Sequence, residues 1–369
     1  MKQDASKKVI VIGAGISGLL VSQLLRGKGL DVTLLGPVDT RHQTLCTWRK
    51  KRELSPYAAH RIGSWDCWDF ALEGQVIRQQ ATSYRYEAIS GLSLKTELEK
   101  ELSSDSGIIR DKSLALSISA GAKSYEVETE SKSLRADLVF DSRPPKFCEG
   151  TMVQQFYGIA VAGESSKGNE VPLLMEFKKD DRVGDALLFL YALPLGHGQF
   201  LAEATLFGNQ PVSASSLESI ATEWAQEKIQ GYDENQAPLF NESGILPMGP
   251  VEPLSDATPI GIASGSARMS SGYSLTGLEK QIADCRQNVS LDRLSMNPYS
   301  RKSLWMDKLF LRVLSRDPGI GKQIFSSMGC ELDGDTFARF MTDQFSLGDA
   351  LRVVGAMPKK PFLRALFQS

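Results

Sequence analysis

Lys8-Val-Ile-Val-Ile-Gly-Ala-Gly-Ile-Ser-Gly18 decides how the rest of the chain is read. The apolar run Val9 to Ile12 has the length and the β-branched content of a buried parallel strand. Gly13, Gly15 and Gly18 follow, spaced G-x-G-x-x-G. Apolar residues then recur at Ile16, Leu19, Leu20, Leu24 and Leu25, as on one face of a helix. Strand, glycine turn and helix in this order form a dinucleotide-binding fingerprint. Gly13 permits the tight turn, Gly15 lets the backbone approach a pyrophosphate, and Gly18 lets helix and strand pack closely. The helix N-terminus then faces the phosphates. The blander alternative is a plain strand, turn and helix with no ligand.

Outward from this stretch, Asp31-Val-Thr-Leu-Leu35 reads as the second strand. In a dinucleotide-binding unit an acidic residue at its end takes the ribose hydroxyl. Here Gly36-Pro37 stands at that place, and Asp39 lies a few positions on. Ala136-Asp-Leu-Val-Phe-Asp-Ser-Arg143 is a further apolar strand with a polar end, stopped by Pro144-Pro145. It fits a chain that returns to the nucleotide domain before leaving it again.

Composition bounds the function. A chain of 369 residues allows about two domains. With 42% hydrophobic and 23% charged residues it has the balance of a soluble globular protein. A net charge of −2 gives no basic field to hold nucleic acid, so none is expected as a partner. Cys46, Cys67, Cys148, Cys285 and Cys330 are scattered without a C-x-x-C pair, which argues against a zinc site or a disulfide framework and suits a reducing cytoplasm. Three histidines leave no His-rich metal centre, and no metal is expected. The polar start, Met1 to Lys8, has no apolar signal core, and no run approaches the ~18 apolar residues of a spanning helix.

Between these landmarks the chain varies in legibility. Residues 41–90 carry Arg41, Arg49, Lys50, Lys51, Arg52 and Arg61 with Trp48, Trp65 and Trp68 among them. Composition reads this as a solvated loop with aromatic anchors; the sharper alternative is a phosphate- and substrate-facing insert. Leu92, Leu94, Leu98 and Leu102 have helical spacing, and 107–135 reads as short strands. Leu187–Leu193 and Gln199–Phe207 form a hairpin around Pro194-Leu-Gly-His-Gly198. Alternation puts Leu201, Glu203, Thr205 and Phe207 on one face of it, with Phe200, Ala202, Ala204 and Leu206 on the other. From the strand alone Glu203 reads as solvent-facing or paired to a distant arginine. If buried, its charged form is disfavoured and it suits a proton donor.

Residues 214–230 have helical character, and Glu242–Gly249 reads as a turn and short strand. The small-residue stretch Ile260–Ser274 precedes a helix with Thr276 and Glu279 at capping-box spacing, which makes a second anion site or an ordinary loop. The region 301–369 is helical and basic, with 11 Lys/Arg against 7 Asp/Glu. Its stripe of Leu304, Trp305, Leu309, Phe310, Val313 and Leu314 means either core packing or a membrane-surface helix.

Taken in order, these segments resemble the flavin-dependent lycopene cyclases, especially the bacterial β-cyclases, over nearly the whole length. The Gly13/Gly15/Gly18 loop matches their FAD fingerprint. Thr47-Trp48 sits at their Asn-His-Thr-Trp motif, with Leu45 and Cys46 in the first two places. Asp141-Ser-Arg143 is similar to their Asp-x-Arg-like strand end. Leu193-Pro194 and Leu201-Ala-Glu-Ala-Thr205 resemble their Leu-Pro turn and acidic motif, with Ala204 at the second acidic position. Glu242-Ser-Gly-Ile-Leu-Pro247 resembles Glu-x-Gly-x-(Leu/Ile)-Pro, and Ser271-Gly-Tyr-Ser274 resembles Thr-Gly-Tyr-Ser, with Met269 and Ser270 where a histidine is usual. Arg339-Phe340 and Leu347-Gly-Asp-Ala-Leu-Arg352 resemble their C-terminal helical pattern.

The resemblance implies an α/β fold: a Rossmann-like FAD-binding domain of the hydroxylase-type flavoproteins, a β-sheet substrate domain and a helical C-terminal cap. The expected division is 1–149 for the first part of the FAD domain, 150–243 for the substrate domain, 244–300 for the FAD-domain return and 301–369 for the cap. It implies reduced FAD held by Gly13, Gly15, Gly18, Asp141, Gly272, Tyr273 and Ser274. Glu203 is the implied proton-transfer residue, with Trp48, Tyr191 and Phe207 lining the substrate pocket. The implied reaction is redox-neutral cyclisation of an acyclic polyene or isoprenoid end group by alkene protonation, ring closure and deprotonation. The partners are then a hydrophobic polyene and the membrane surface, with a cytoplasmic protein lying peripherally on the inner face. The alternatives are a flavin-dependent monooxygenase or oxidoreductase acting on a hydrophobic substrate, and an isoprenoid carrier that has lost its chemistry.

Overall fold

The computed structural model describes residues 7–72, 74–165, 170–288 and 290–367. The first six residues of the polar start lie outside that set. The opening apolar run forms the strand Lys8–Ala14, central in a five-stranded parallel sheet. The order is Thr258–Pro259, Leu138–Asp141, Lys8–Ala14, Asp31–Val38 and Ile108–Asp111. The two-residue strand Thr258–Pro259 brings the chain back to this sheet after it has left for the second one. The helices Ile16–Gly27, Gly91–Ser103 and Leu275–Gln287 cover one face through Leu19, Leu24, Leu94, Leu98, Leu278 and Ile282. An antiparallel three-stranded sheet, Ala115–Ala120, Tyr125–Thr129 and Ser133–Ala136, covers the other through Val127 and Ala136.

The second sheet has seven strands. In order they are Phe240–Met248, Met152–Ala162, Gln199–Gly208, Leu187–Gly196, Leu173–Lys178, Cys67–Leu72 and Gln75–Gln80. The predicted hairpin is its centre, with Leu187 opposite Phe207 and Tyr191 opposite Glu203. The alternation read from the sequence sorts its two faces. Ala202, Ala204 and Leu206 pack under the helix Ala214–Lys228 through Leu217, Ile220 and Trp224, and their small size lets that helix lie close. The opposite face carries Leu201, Glu203, Thr205 and Phe207 toward the C-terminal helices. The sheet runs past the expected 150–243 span at both ends: the Cys67–Leu72/Gln75–Gln80 hairpin joins it from the first part, and Phe240–Met248 is one nine-residue strand rather than a turn and a short one.

Residues 41–90 are not a solvated loop. Thr44–Lys50, Tyr84–Ser90 and Arg61–Trp65 make a three-stranded sheet that bridges the two larger ones. Part of its basic cluster is internal wiring, while Arg41 and Arg52 are exposed. Arg49, Arg61 and Arg85 converge on Glu87 at 3.1, 3.2 and 2.6 Å, and the Glu87 side chain is 0% exposed. Burial works against the Glu87 charge, but the arginines outweigh it and hold its carboxyl below the usual range. Trp48 and Trp68 are buried anchors, with the Trp48 ring tilted against Tyr86 at 4.6 Å and edge-on to Phe337 of the cap at 5.5 Å.

Five helices close the chain: Arg301–Arg316, Ile320–Glu331, Gly334–Met341, Leu347–Ala356 and Lys359–Phe367. The apolar stripe of the first serves core packing. Phe310, Val313 and Leu314 pack into the core against the large sheet, while Trp305 is 55% exposed.

Candidate active site

The large sheet, the bridging sheet, the loop before Leu275 and the C-terminal helices enclose a cavity of about 500 Å³. Its walls are mainly aromatic and aliphatic: Trp48, Phe189, Tyr191, Phe207, Phe310 and Phe337 are among them. All three pocket residues expected from the sequence, Trp48, Tyr191 and Phe207, line it. So do Glu203 and the loop residues Gly272, Tyr273 and Ser274.

Glu203 faces the cavity, and among the described residues no arginine pairs with it. It points into the cavity from the middle of its strand and accepts a hydrogen bond from Thr205 Oγ1 at 2.6 Å. Burial pushes its carboxyl up from the ordinary value, and the nearby Glu242 carboxylate pushes it further. Glu242 also lines the cavity, accepts from Thr44 Oγ1 at 2.9 Å, and is likewise raised by burial. The sequence reading missed Glu242 as a chemical group. The usable signal was its register: strands 152–162, 199–208 and 240–248 are neighbours, and a hairpin search does not find the third.

Beside the carboxylates lies a chain of neutral donors. Tyr86 Oη is 2.8 Å from Tyr191 Oη and 3.0 Å from Tyr273 Oη, and Tyr191 Oη is 3.1 Å from Cys46 Sγ. Burial pushes the Cys46 thiol up to about 12 and raises all three phenols. No thiolate or phenolate forms here near neutral pH.

The dinucleotide loop has the geometry its spacing predicts. Gly13 takes φ +94°, and a Cβ on Gly18 would stand 1.8 Å from the Gly13 carbonyl oxygen, so only glycine lets helix and strand meet there. Gly15 faces open space: the nearest atom to a Cβ there is Asp39 Oδ2 at 3.9 Å. No side chain caps the helix Ile16–Gly27, and its first turn holds no acidic residue. Its free N–H groups therefore open onto a space suited to an anion. The displaced Asp39 is brought back beside this loop. Burial opposes its charge, but Arg41 and Lys95 outweigh it and hold its carboxyl down at about 2.

Asp141 is placed differently from its neighbours in the sequence reading. It is buried at its strand end, outside the cavity lining, and its carboxylate accepts from the Arg143 guanidinium at 2.7 Å and from Ser255 Oγ at 3.0 Å. Its neighbour Ser142 instead sits over the loop, donating to the Ile12 carbonyl at 2.7 Å.

The second glycine loop meets the cavity with unused polarity. Gln154 Oε1 and Ser271 Oγ are buried without a hydrogen-bond partner among the described residues, and both residues line the cavity. Buried polar atoms are rarely left so, and these two match a ligand with a polar edge. The expected capping box is absent. Ser274 caps Leu275–Gln287 without a side-chain bond, because Thr276 Oγ1 bonds Thr47 Oγ1 at 2.7 Å and Glu279 pairs with Arg49 at 2.7 Å. This loop is tied to the cap by Arg268, whose guanidinium pairs with Asp307 at 3.0 Å and donates to the Phe340 carbonyl. Among the described residues no group of His, Cys, Asp and Glu is arranged to hold a metal.

This architecture is that of the FAD-binding, hydroxylase-type flavoproteins. HpxO of Klebsiella pneumoniae, solved with FAD and uric acid, is similar at a TM-score of 0.61 with 12% identity, over 92% of this chain and 96% of that one. The p-nitrophenol 4-monooxygenase PnpA of Pseudomonas putida DLL-E4 is similar at 0.60 with 14% identity, over 97% and 98%. A flavoprotein/dehydrogenase of Cytophaga hutchinsonii is similar at 0.57 with 9% identity, over 98% and 99%. At such identities the likeness is one of fold. No curated protein matches the chain by sequence. The family is given by sequence: residues 8–367 match the family model described as lycopene cyclase protein, and the chain belongs to that family.

Proposed function

We propose that this protein cyclises the end group of an acyclic polyene or isoprenoid, lycopene or a related terpenoid, without net redox change and with reduced FAD bound. One observation carries the reading: the Glu203 carboxyl is held in an apolar, aromatic-walled cavity with no cation acting on it. A carboxyl so placed stays protonated nearer neutral pH, so the donor form is present where a carboxyl in water would already have ionised.

Glu203 gives its proton to the terminal trisubstituted alkene, leaving a tertiary carbocation. The next double bond attacks that centre and closes a six-membered ring. Loss of a proton from the ring cation makes the new alkene, so product and substrate have equal mass. The faces of Trp48, Phe189 and Phe207 attract the positive charge as it moves. The apolar walls keep water from trapping it, and the neutral Cys46, Tyr191 and Tyr273 offer no anion that would.

Two glycine loops would hold FAD, the second of them at the polar margin of the cavity. Gly13, Gly15, Gly18 and the N-terminus of Ile16–Gly27 would hold its pyrophosphate. Gln154, Ser271, Gly272, Tyr273 and Ser274 would hold the ring, while Asp141 acts at one remove by fixing Arg143 and the strand end. When bound and reduced, FAD supplies negative charge beside the cavity that offsets the carbocation. The N-terminus of Leu275–Gln287 stabilises an anion at that place. Gly15→Val tests the cofactor assignment. Its backbone is extended and its surroundings are open, so the variant is expected to fold with unchanged circular dichroism and to lose FAD absorbance by about tenfold or more, since the pyrophosphate can no longer approach. Undiminished flavin content contradicts it.

A membrane surface is the proposed source of substrate. No described helix is long and apolar enough to cross a membrane. Leu347, Leu351 and Val354 instead make an exposed apolar face on one helix, and Leu363, Leu366 and Phe367 extend it on the next. Val354, Leu363 and Leu366 also line the cavity, so this patch is its rim. Lys360 and Arg364 are exposed on the second of these helices, and Lys308 is exposed on the helix Arg301–Arg316, a complement to anionic headgroups. Leu347→Glu with Leu351→Glu is expected to cut co-sedimentation with anionic vesicles by about tenfold or more while cyclisation of detergent-dispersed substrate persists. Wild-type sedimentation of that variant removes the proposal.

A further inference from the structure

Glu203 is not the only carboxyl on its face of the sheet. Gly158, on the strand Met152–Ala162, lies opposite Glu203 on one side and opposite Glu242 on the other. Directly opposed residues share a face, so three side-chain positions lie in a row and the middle one is bare. A Cβ on Gly158 would stand 3.5 Å from Glu203 Cβ and 3.4 Å from Glu242 Cγ. Leu201 Cδ1, 3.0 Å from the same point, closes on this position, and the two carboxyls flank it from non-adjacent strands, both lining the cavity. Thr205 holds one and Thr44 the other. Cys46 and Tyr273 are the titratable groups that face them, with Tyr191 next to Glu203 on the hairpin, and all three are held neutral by burial. The charge that acts on Glu203 is that of Glu242, with no cation to offset it. Two carboxyls in one dry site do not both ionise near neutral pH, and they titrate as a pair.

We propose that Glu203 and Glu242 share one proton as an acid–base couple, Glu203 giving the proton that opens ring closure and Glu242 taking the proton that ends it. This rests on the cyclisation reading above. The balance closes within the pair. Glu203 loses a proton to the alkene carbon and becomes a carboxylate. The pair of the terminal alkene binds that proton, the pair of the next double bond forms the new ring bond, and the C–H pair left behind becomes the new alkene as Glu242 takes the second proton. A proton passing from Glu242 to Glu203 across the bare rung restores the start, with no oxidant or reductant consumed. Gly158 is a positioning residue in this scheme.

Infrared spectroscopy of the purified protein reads the shared proton without turnover. The expected result is a carboxylic-acid carbonyl band at neutral pH that titrates away on the alkaline side. In Glu242→Gln the remaining Glu203 band titrates at lower pH, because the repelling charge is gone. A spectrum with no such band, or one that neither Glu203→Gln nor Glu242→Gln alters, overturns the pair. Turnover in D2O reads the base. Glu242→Gln is expected to lower ring formation by about a hundredfold and to leave deuterium in the recovered acyclic substrate, since a cation that cannot lose its ring proton reverts. Wild-type ring formation in this variant overturns Glu242 as the base. Gly158→Ala keeps both carboxyls and sets a methyl group between them; a displaced pH profile with at least tenfold loss is expected, and a wild-type profile and rate overturn the role of the bare rung. If the wild type has the band but forms no isomer from any acyclic polyene, the proton-sharing pair stands and the cyclisation reading fails.

Discussion

Glu203→Gln is expected to lower cyclisation by about 10²–10⁴-fold, the range for loss of a positioned general acid, while FAD stays bound and the protein stays folded. The substitution is isosteric and lies on a strand fixed on both sides by its neighbours, so packing changes little. What is lost is the acidic proton: an amide accepts from Thr205 as the carboxyl does but cannot protonate an alkene. Product formation by chromatography, alongside flavin absorbance, checks both halves. The same burial sets the pH dependence. Activity falls as pH rises through the raised value of the pair, because the donor form is lost on the alkaline side. Stability follows the same sign. Groups whose folded values lie above their unfolded ones stabilise the fold below the ordinary carboxyl range, and that contribution is lost as pH rises through the raised values.

Arg268→Met carries the largest expected effect on stability. Arg268 and Asp307 are 1% and 2% exposed, and together they join the second glycine loop to the helix Arg301–Arg316. Ser270 Oγ also donates to Asp307, and the guanidinium lies 4.5 Å from the centre of the Phe340 ring. Removing the cation strands a carboxylate in a dry interior, which costs about 3–5 kcal/mol. Removing both charges in Arg268→Met with Asp307→Leu leaves no stranded charge and is expected to recover most of that loss, because the desolvation of each ion disappears with it. Denaturant unfolding of the two variants measures the difference. Equal stability of the single variant and the wild type contradicts the account of how the cap is held.

The parts of this fold legible in the sequence are those where one local pattern fixes one local structure. The Val9–Ile12 run with its glycines gave the central strand and turn, and the alternation from Leu201 to Phe207 gave the two faces of the hairpin. The parts that were not legible depend on partners far along the chain. Residues 41–90 look like a basic loop because Arg49 and Arg61 meet a buried acid, Glu87, on another strand, and Arg49 also reaches Glu279, 230 residues on. Thr276 and Glu279 have capping-box spacing, but Thr47 and Arg49 of the bridging sheet engage them first. Glu203 looks like an ordinary surface acid until the third strand sets Glu242 on the same face, across the side-chain-free Gly158. Family resemblance pointed to Glu203; only the register of three strands points to its partner.

The central claim is that the cavity protonates an alkene and returns an isomer. It is tested most directly by expressing the protein in a bacterial host that accumulates lycopene and weighing the new pigment against the lycopene of the same culture. The account predicts a shorter-wavelength pigment of the same mass as that lycopene. A product heavier by one oxygen, formed with consumption of NAD(P)H, would contradict it and make the protein a monooxygenase.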